Sequence, residues 1–437
     1  MIRVSFIHLI PLLLFLNINF YSTCNLKPRL NILLIIIDDL RPALGCYGDT
    51  RAYTPNIDEL SKEGILFKQA FVQQALCAPS RNSFLTSRRP DTLHLYDFYS
   101  YWRETVGNFS TIPQVLKING FKTMSIGKVF HPGISSNWSD DQPYSWSFTP
   151  FHPSTEIYKE AKVCVDKQGK LGRNLICPVV PQFQPKGTLP DIQSVIEAKR
   201  FLNNVDKEEP FFLAVGFHKP HVPLKYPFSF LDYHPFINIS LPENRFQPFG
   251  LPHVAWNPWT DVRNRNDIQN LNISFPFGVI PDKWNKLIRQ SYYASVSYID
   301  DLIGKLVSKL KEQNLFDNTI IAIIGDHGWS LSEHGEWSKF STYETAVQVP
   351  FILRIPGITS NTYKDINQGP GLTSDVLVEL VDLFPTLIDL VNLDPIPLCP
   401  ENNVDVELCT EGVSLLPVIQ NLSRGGKKLD TMEIWCF

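Results

Sequence analysis

The sequence lacks several features that would assign it to other classes of protein. It has no basic stretch with interleaved aromatic residues, and its formal net charge at pH 7 is -4, so nucleic acid is not an expected partner. It contains no Cys-x-x-Cys pair and no Cys/His spacing of the kind that binds zinc. It has no internal repeat. Beyond the N-terminal region, no segment is long and apolar enough to span a bilayer, so we expect no stable membrane insertion.

What is present favours a large secreted domain. The chain has 437 residues, of which 43% are hydrophobic, enough for a sizeable core. A positive start at Met1-Ile2-Arg3 precedes an apolar run from Leu9 to Leu16, and polar residues follow. This pattern predicts a signal peptide over residues 1–24, with a retained anchor as the alternative.

Glycosylation sequons and cysteines agree with a secretory route. Cys164 and Cys177 bracket a short polar loop, as do Cys399 and Cys409, and both spacings suit a local disulfide. Three further cysteines, Cys46, Cys77 and Cys436, then have no obvious partner, and Cys24 lies near the predicted cleavage point. Five sequons predict glycosylated surface loops; they lie at Asn108, Asn137, Asn238, Asn272 and Asn421.

Short apolar runs alternate with amphipathic segments along the chain. The runs at 31–37, 211–217 and 319–324 predict strands buried on both faces. The amphipathic segments predict helices over 111–119, 191–203, 284–313 and 377–390, the last with a kink at Pro385. The segment 228–281 predicts a long irregular excursion near the substrate. This alternation predicts an α/β fold with a mostly parallel central sheet.

Polar residues directly follow each of the three predicted strands. Asp38-Asp39 follows the first, His218-Lys219-Pro220-His221 the second, and Gly325-Asp326-His327-Gly328 the third. Ligands of open α/β sheets bind outside the carboxyl ends of the strands, so these clusters are expected to meet at one edge. The alternative is three ordinary strand-to-helix loops, in which such residues are common.

The acidic residues of these clusters indicate a metal site. Asp38 and Asp39 adjoin a predicted core strand, where two carboxylates need a cation or a proton. With Asp326 they offer hard oxygen ligands, which favour calcium or magnesium, and His327 could complete the set. The alternative is a helix cap by one aspartate and a surface ion pair by the other.

The segment that begins at Cys77 resembles the signature of the sulfatase family. It reads Cys77-Ala78-Pro79-Ser80-Arg81, with Leu85-Thr86 and a basic Arg88 after it. The alternative is a buried or disulfide-bonded cysteine near a helix start. Members that act on iduronate 2-sulfate are the most similar, through matching stretches at 37–42, 77–81, 89–92, 95–98, 127–132, 218–221, 326–329 and 333–339.

The resemblance implies a set of site residues and cofactors. Cys77 would be oxidised to formylglycine by the formylglycine-generating enzyme and, with Asp38, Asp39, Asp326 and His327, would hold one calcium ion. Lys128, His131, His221 and Lys339 would surround the sulfate group, and Arg81 would hold the formylglycine hydrate. The hydrate would supply two hydroxyls, one to attack sulfur and one to expel sulfate. His131 or His221 would transfer protons in the mildly acidic range. The same resemblance implies disulfides Cys164–Cys177 and Cys399–Cys409.

The resemblance also implies the fold, the domains and the activity. We expect the alkaline-phosphatase-like sulfatase fold, with a catalytic domain over 28–430 and the start of a largely missing C-terminal subdomain over 431–437. The family pattern has glycine where this chain has Ser87. The expected activity is removal of the 2-sulfate from iduronate units of heparan and dermatan sulfate by a lysosomal, or simply secreted, monomer. The alternatives are a phosphoesterase on the same scaffold and an inactive, truncated glycan-binding protein.

Overall fold

A seven-stranded sheet forms the centre of the molecule. The computed structural model describes residues 29–165, 169–359 and 371–425. We number the sheet strands β1 to β7 in chain order: β1 Asn31–Ile37, β2 Ile65–Phe71, β3 Lys122–Gly127, β4 Phe211–Phe217, β5 Thr319–Gly325, β6 Gln348–Arg354 and β7 Leu372–Glu379. The predicted bounds of β1 and β4 are confirmed, and β5 continues one residue beyond the prediction, to Gly325.

The sheet is mostly parallel, as predicted. The strand order is β7-β2-β6-β5-β1-β4-β3. Strand β1 pairs in parallel with β4 and β5, β3 pairs in parallel with β4, and β7 pairs in parallel with β2. Only β6 runs the other way, antiparallel to β2 and β5. The carboxyl ends of β5, β1, β4 and β3 therefore lie side by side at one edge.

Helices cover both faces of the sheet. They are α1 Pro55–Lys62, α2 Cys77–Thr86, α3 Ile112–Ile118, α4 Pro190–Asn204, α5 Asp282–Glu312, α6 Leu383–Leu390 and α7 Leu416–Ser423. Because side chains alternate along a strand, Leu33 and Ile35 of β1 join the core beneath α1, α4 and α5. Ile32 and Leu34 join the opposite core beneath α2, α3, α6 and α7. Every residue of β1 is buried, which explains its continuous apolar run.

The predicted helix over 377–390 is wrong in its first part. Residues up to Glu379 belong to β7, where buried and partly exposed positions alternate with the period of a strand. Glu379 and Asp382 form a capping box that starts a short 3₁₀ turn, and α6 follows from Leu383. Pro385 therefore lies in the first turn of α6. It produces no kink there because its missing N–H would have no helical partner.

The remaining elements are short. Five four-residue helices lie at Pro90–Leu93, Trp102–Thr105, Thr260–Arg263, Asn266–Gln269 and Glu344–Val347. Small ribbons pair Cys164–Val165 with Leu171–Gly172, Ile176–Val179 with Leu224–Pro227, and Ser330–Leu331 with Trp337–Ser338. The segment 228–281 contains only short helices and loops, as expected.

The two local disulfides are present, linking Cys164 to Cys177 and Cys399 to Cys409. Among the described residues, Cys46 and Cys77 are free thiols. Asn108, Asn137, Asn238 and Asn272 are exposed and Asn421 is half-buried, and their glycosylation stays a prediction. No helix of the described residues has both the length and the apolar character needed to cross a membrane. The predicted signal peptide, Cys24, Cys436 and the segment 431–437 lie outside the described residues.

Candidate active site

The predicted site residues converge at one edge of the sheet. Asp38-Asp39 follows β1, Lys128 follows β3, the segment 218–221 follows β4, and Asp326-His327 follows β5. These four strands are neighbours and parallel, so the segments after them reach the same place. The three clusters therefore meet at one edge of the sheet, as the sequence predicts.

Cys77 enters the same place from a helix. It is the first residue of α2, in which every residue is buried. Its Sγ lies 3.2 Å from Nε2 of His327, 3.1 Å from Nζ of Lys339 and 3.5 Å from Nζ of Lys128. The Oδ1 of Asp38 is 3.4 Å away. A thiol surrounded by two ammonium groups and an imidazole is in the setting that favours a reactive sulfur.

Two buried lysines neutralise the two adjacent aspartates. Lys128 donates a hydrogen bond to Asp38, and the Nζ of Lys339 donates to Oδ1 of Asp39 at 2.8 Å. Burial opposes charge on both lysines. Their anionic neighbours, Asp38 first for Lys128 and Asp39 first for Lys339, together outweigh burial and raise both pKa values. Burial also opposes charge on Asp38, yet its cationic neighbours, Lys128 first, hold its pKa well below the usual range.

Asp326 and Arg81 form a second buried ion pair beside the thiol. The Nε of Arg81 donates to Oδ2 of Asp326 at 2.9 Å, and its NH1 donates to the carbonyl of Val129 at 3.1 Å. The Oδ1 of Asp326 accepts the backbone N–H groups of Asp39 at 3.0 Å and His327 at 2.9 Å. Asp326 therefore fixes the two chain segments that carry the other acidic and imidazole groups.

Four of the five predicted metal ligands cluster in space. Ligand atoms of Asp38, Asp39, Cys77 and His327 all lie within 4.8 Å of one another, and all four residues are buried. The Oδ2 of Asp39 is buried without a hydrogen-bond partner, which fits a site that takes a cation. Asp326 adjoins the cluster, with its Oδ2 3.4 Å from Nε2 of His327. Carboxylate oxygens suit a hard divalent ion, and imidazole widens the range of acceptable metals.

The two proline-flanked histidines lie at the rim of this cluster. The ring of His131 packs against Phe98, tilted by 36° with 4.6 Å between ring centroids, and its Nδ1 is buried without a hydrogen-bond partner. The Nδ1 of His221 lies 2.7 Å from the carbonyl of Val222. Burial, followed by the charge of Lys128, lowers the pKa of His131 to about 2. Burial, followed by the charge of Lys159, holds the pKa of His221 well below its usual range. Both pKa values are therefore shifted downward, away from the mildly acidic range in which an ordinary imidazole titrates.

Local backbone features hold these groups in place. A Cβ at Gly216 on β4 would lie 1.9 Å from the carbonyl oxygen of Lys128, so only glycine lets the chain pass after β3. Asp39 adopts a left-handed backbone with φ 61°, which turns its N–H toward Asp326. Its carbonyl accepts a 2.7 Å hydrogen bond from the hydroxyl of Tyr292 on α5. Left-handed backbone at a non-glycine residue is strained and is frequent at functional sites.

Comparison with known proteins identifies the family to which the chain belongs. The family model described as Sulfatase matches residues 30–393. The chain belongs to the sulfatase family. This sulfatase is 54% identical to the iduronate 2-sulfatase of Mus musculus over 407 residues, which cover 90% of this chain and 74% of that protein. It is also 54% identical to the iduronate 2-sulfatase of Homo sapiens over 403 residues, which cover 89% and 73%. It is therefore a hydrolase of sulfate esters.

Solved structures support the fold of the sulfatase. A structure of BT4656 in complex with its substrate D-glucosamine-2-N,6-O-disulfate matches with a TM-score of 0.64 and 23% identity, over 92% of this chain and 81% of that one. The phosphonate monoester hydrolase of Agrobacterium radiobacter matches with a TM-score of 0.65 and 20% identity, over 91% and 78%. At these identities the likeness shows the fold, and the predicted sulfatase fold is confirmed.

Sulfatases generally use a formylglycine and a divalent metal. The buried Asp-Asp-Cys-His cluster of this sulfatase offers the cysteine and the metal ligands that these two cofactors require.

One cationic residue near the site was not predicted from the sequence. Lys159 lines the same cleft as Asp38 and His221. It lies in an irregular segment of mixed charge, and no motif distinguishes it there.

Proposed function

We propose that this sulfatase removes the 2-sulfate from iduronate units of heparan and dermatan sulfate, with Cys77 converted to formylglycine. The observation that carries the proposal is the position of the Cys77 Sγ within 3.5 Å of two lysine Nζ atoms, one histidine Nε2 and one aspartate Oδ1. Identity of 54% with two iduronate 2-sulfatases supports the choice of sugar.

The cofactors follow from the donor set. Asp38, Asp39, Asp326, His327 and residue 77 would hold one calcium ion, which would supply positive charge against the sulfate oxygens. Formylglycine at position 77 would supply a hydrated aldehyde, with one hydroxyl to attack sulfur and a second whose deprotonation expels sulfate. A serine in this place would be left as a stable sulfate ester.

The protein's own side chains prepare the pocket for this chemistry. Lys128 and Lys339 are buried cations beside residue 77, where negative charge develops on the transferred group, and their ion pairs with Asp38 and Asp39 fix their positions. Arg81 is tied to Asp326 and turns its NH2 toward the Oδ1 of Asp38, at 3.8 Å, without a hydrogen bond. That free N–H can hold an oxygen on residue 77.

The two neutral imidazoles complete the pocket. His131 offers a buried Nδ1 that has no partner. The Nδ1 of His221 bonds the carbonyl of Val222 and must carry its proton there, so its Nε2 is a proton acceptor in the neutral ring. Either ring can receive a hydrogen bond from the nucleophile or exchange a proton with the leaving sugar oxygen.

The test of the proposal is the release of sulfate from iduronate 2-sulfate. The protein is produced with the formylglycine-generating enzyme and compared with Cys77→Ala. A 6-sulfated glucosamine and a 2-phosphate ester of the same uronate serve as rival substrates. We expect rapid release from the iduronate sulfate only, and none from Cys77→Ala.

Two outcomes would contradict the proposal. Faster release of phosphate than of sulfate would favour the phosphoesterase alternative. Failure to release sulfate from any ester, in protein that carries the aldehyde, would favour the inactive glycan-binding alternative.

We further propose that the enzyme is a monomer and that it reaches the lysosome through the secretory pathway. Fractionation of cells and medium, with size measurement of the purified protein, tests both points.

A further inference from the structure

The cleft beside the active site is lined by more cations than the sulfate chemistry uses. Asp38 and His221 form part of its wall, and Lys159, Lys219 and Lys225 line it together with acidic, neutral and apolar side chains. None of these three lysines makes an ion pair with any acidic group of residues 29–165, 169–359 or 371–425. The acidic residues of the cleft contact other side chains: Asp38 pairs with Lys128, and Asp191 and Glu156 lie against His218.

Besides Asp38, two acidic residues line the cleft, and His218 contacts both. Its Nδ1 lies 3.1 Å from Oδ1 of Asp191, and its Nε2 lies 3.5 Å from Oε2 of Glu156. The carboxylate of Asp191 also accepts the backbone N–H groups of His218 at 2.7 Å and Lys219 at 3.2 Å. Asp191 therefore serves to hold the 218–219 backbone. Neither it nor Glu156 makes an ion pair with a lysine of the cleft, although the charge of Glu156 favours the protonated form of all three lysines.

Two of the three lysines have structural hydrogen bonds. The Nζ of Lys219 donates to the carbonyl of His221 and, at 2.7 Å, to that of Pro223. The Nζ of Lys225 donates to the carbonyls of Tyr158 at 3.2 Å and Lys159 at 3.3 Å. Lys219 thus fixes the backbone around His221, and Lys225 fixes the segment that carries Lys159.

Lys159 is different, because its Nζ has no hydrogen-bond partner among the described residues. It lines the same cleft as His221, and after burial its charge is the strongest influence on the pKa of that ring. Burial lowers the pKa of Lys159, and it lowers the pKa of Lys219 to about 7. Lys159 is half-buried and lines the cleft, so an arriving anion would give its charge the partner that the described residues do not provide.

We propose that this cleft is a subsite for a second anionic group of the substrate, namely the carboxylate of the sugar that carries the sulfate, with Lys159 as its cationic partner. Lys225 is the positioning residue that holds the Lys159 segment in place. The inference rests on the proposed function, which supplies a uronate. It adds the residue that distinguishes a sulfated uronate from a sulfated neutral sugar.

The test compares the affinities of two ligands that differ only at the carboxylate. They are methyl iduronoside 2-sulfate and methyl idoside 2-sulfate, in which a hydroxymethyl group replaces the carboxylate. Binding is measured by calorimetry on protein whose Cys77 is left unconverted, so that turnover does not interfere. The proteins are the wild type, Lys159→Gln, Lys159→Arg and Lys162→Gln, the last being a control of equal charge change at an exposed lysine.

We expect Lys159→Gln to weaken binding of the iduronoside by about tenfold or more, the usual loss for a charge-assisted hydrogen bond. Binding of the idoside should stay unchanged, Lys159→Arg should keep most of the preference, and Lys162→Gln should behave as the wild type. Equal loss for both sugars, or no loss for either, would overturn the subsite.

Failure of the proposed function has a different signature. Carboxylate-selective binding that depends on Lys159, together with no turnover of the iduronoside by the converted enzyme, would contradict the proposed activity and still support the subsite. Equal affinity of the wild type for both sugars would overturn the subsite whatever the turnover.

Discussion

The Nζ of Lys339 lies 3.1 Å from the Sγ of Cys77, although 262 positions separate the two residues in the sequence. The same Nζ donates to Asp39 at 2.8 Å. The fold thus places a buried cation between an acidic residue and the proposed nucleophile position. The charge balance of the site depends on this contact, and most of the predictions below alter that balance.

Replacing Lys339 with methionine should damage both stability and turnover. In metal-free protein the change leaves the carboxylate of Asp39 buried without its lysine partner, which costs about 3–5 kcal/mol in the free energy of unfolding. It also removes a charge from the transition state, which should lower kcat/KM by about 100-fold or more. Chemical denaturation and sulfate release measure the two effects. Lys305→Met is the control, because Lys305 is exposed and pairs only with Asp301 within its helix. Equal effects of the two changes would contradict the account.

Divalent metal should stabilise the protein through the acidic cluster. Calcium added to the metal-free wild type should raise its Tm, because a ligand that binds only the folded state stabilises that state. At a calcium concentration one hundred times Kd, the gain in the free energy of unfolding is about 2.7 kcal/mol. Asp38→Asn and Asp39→Asn should abolish the rise, since each removes a charged ligand from the cluster. Asp405→Asn, at an exposed position, should retain it. A rise of equal size in all four proteins would mean that the metal binds elsewhere.

Ser87 should show two opposed contributions to stability. It ends α2, the helix that carries Cys77, in a left-handed conformation with φ 52°. Its hydroxyl donates to the carbonyl of Val381 at 2.6 Å and lies 2.6 Å from Oγ1 of Thr410. Ser87→Ala should destabilise the protein by about 1–3 kcal/mol, because it leaves buried polar groups unpaired. Ser87→Gly should lose the same bonds but recover about 1 kcal/mol of backbone strain. Urea unfolding measures the stability of both variants. A higher free energy of unfolding for the alanine variant than for the glycine variant would contradict this prediction.

Stability should fall as the pH rises toward neutrality. Burial raises the pKa of Asp382 to about 7 and that of Asp300 to about 6. An aspartate in the unfolded chain has a pKa of about 3.9. At pH values between this pKa and the raised pKa values, the folded state holds protons that the unfolded state releases. The free energy of unfolding should therefore decrease across this interval, by up to about 1.4 kcal/mol per pH unit for each group.

Two variants test the origin of this slope. In Asp382→Asn the side chain cannot titrate. The free energy of unfolding, measured by denaturation across the same pH range, should therefore no longer show the part of the decrease that ends near neutrality. Asp394→Asn, at an exposed position, should keep the full slope. A slope that is identical in all three proteins would show that Asp382 does not carry the pH dependence.

Much of the fold could be predicted from local pattern. Strands such as Asn31–Ile37 are buried on both faces, so their apolar runs are unbroken and their bounds are visible in the sequence. The edge strand Leu372–Glu379 was missed because its alternating pattern is short and passes directly into α6. The capping box formed by Glu379 and Asp382 was the available signal for that boundary.

The site could be predicted where its residues belong to motifs and not where they act through tertiary contacts. Asp38, Asp39 and His327 follow strands, and the topology brings them together. The pairing of Arg81 with Asp326 and the lowered pKa values of His131 and His221 arise from burial, which no local pattern reports. Lys159 belongs to an irregular segment, so only the folded chain reveals its place in the cleft.

The most direct test of the account is the mass of the tryptic peptide 69–81, which carries residue 77. The protein is produced in cells that contain the formylglycine-generating enzyme, and sulfate release from iduronate 2-sulfate is measured on the same preparations. The account predicts an aldehyde or its hydrate at position 77, with turnover proportional to the converted fraction. Full turnover in a preparation whose peptide carries only the thiol would contradict it.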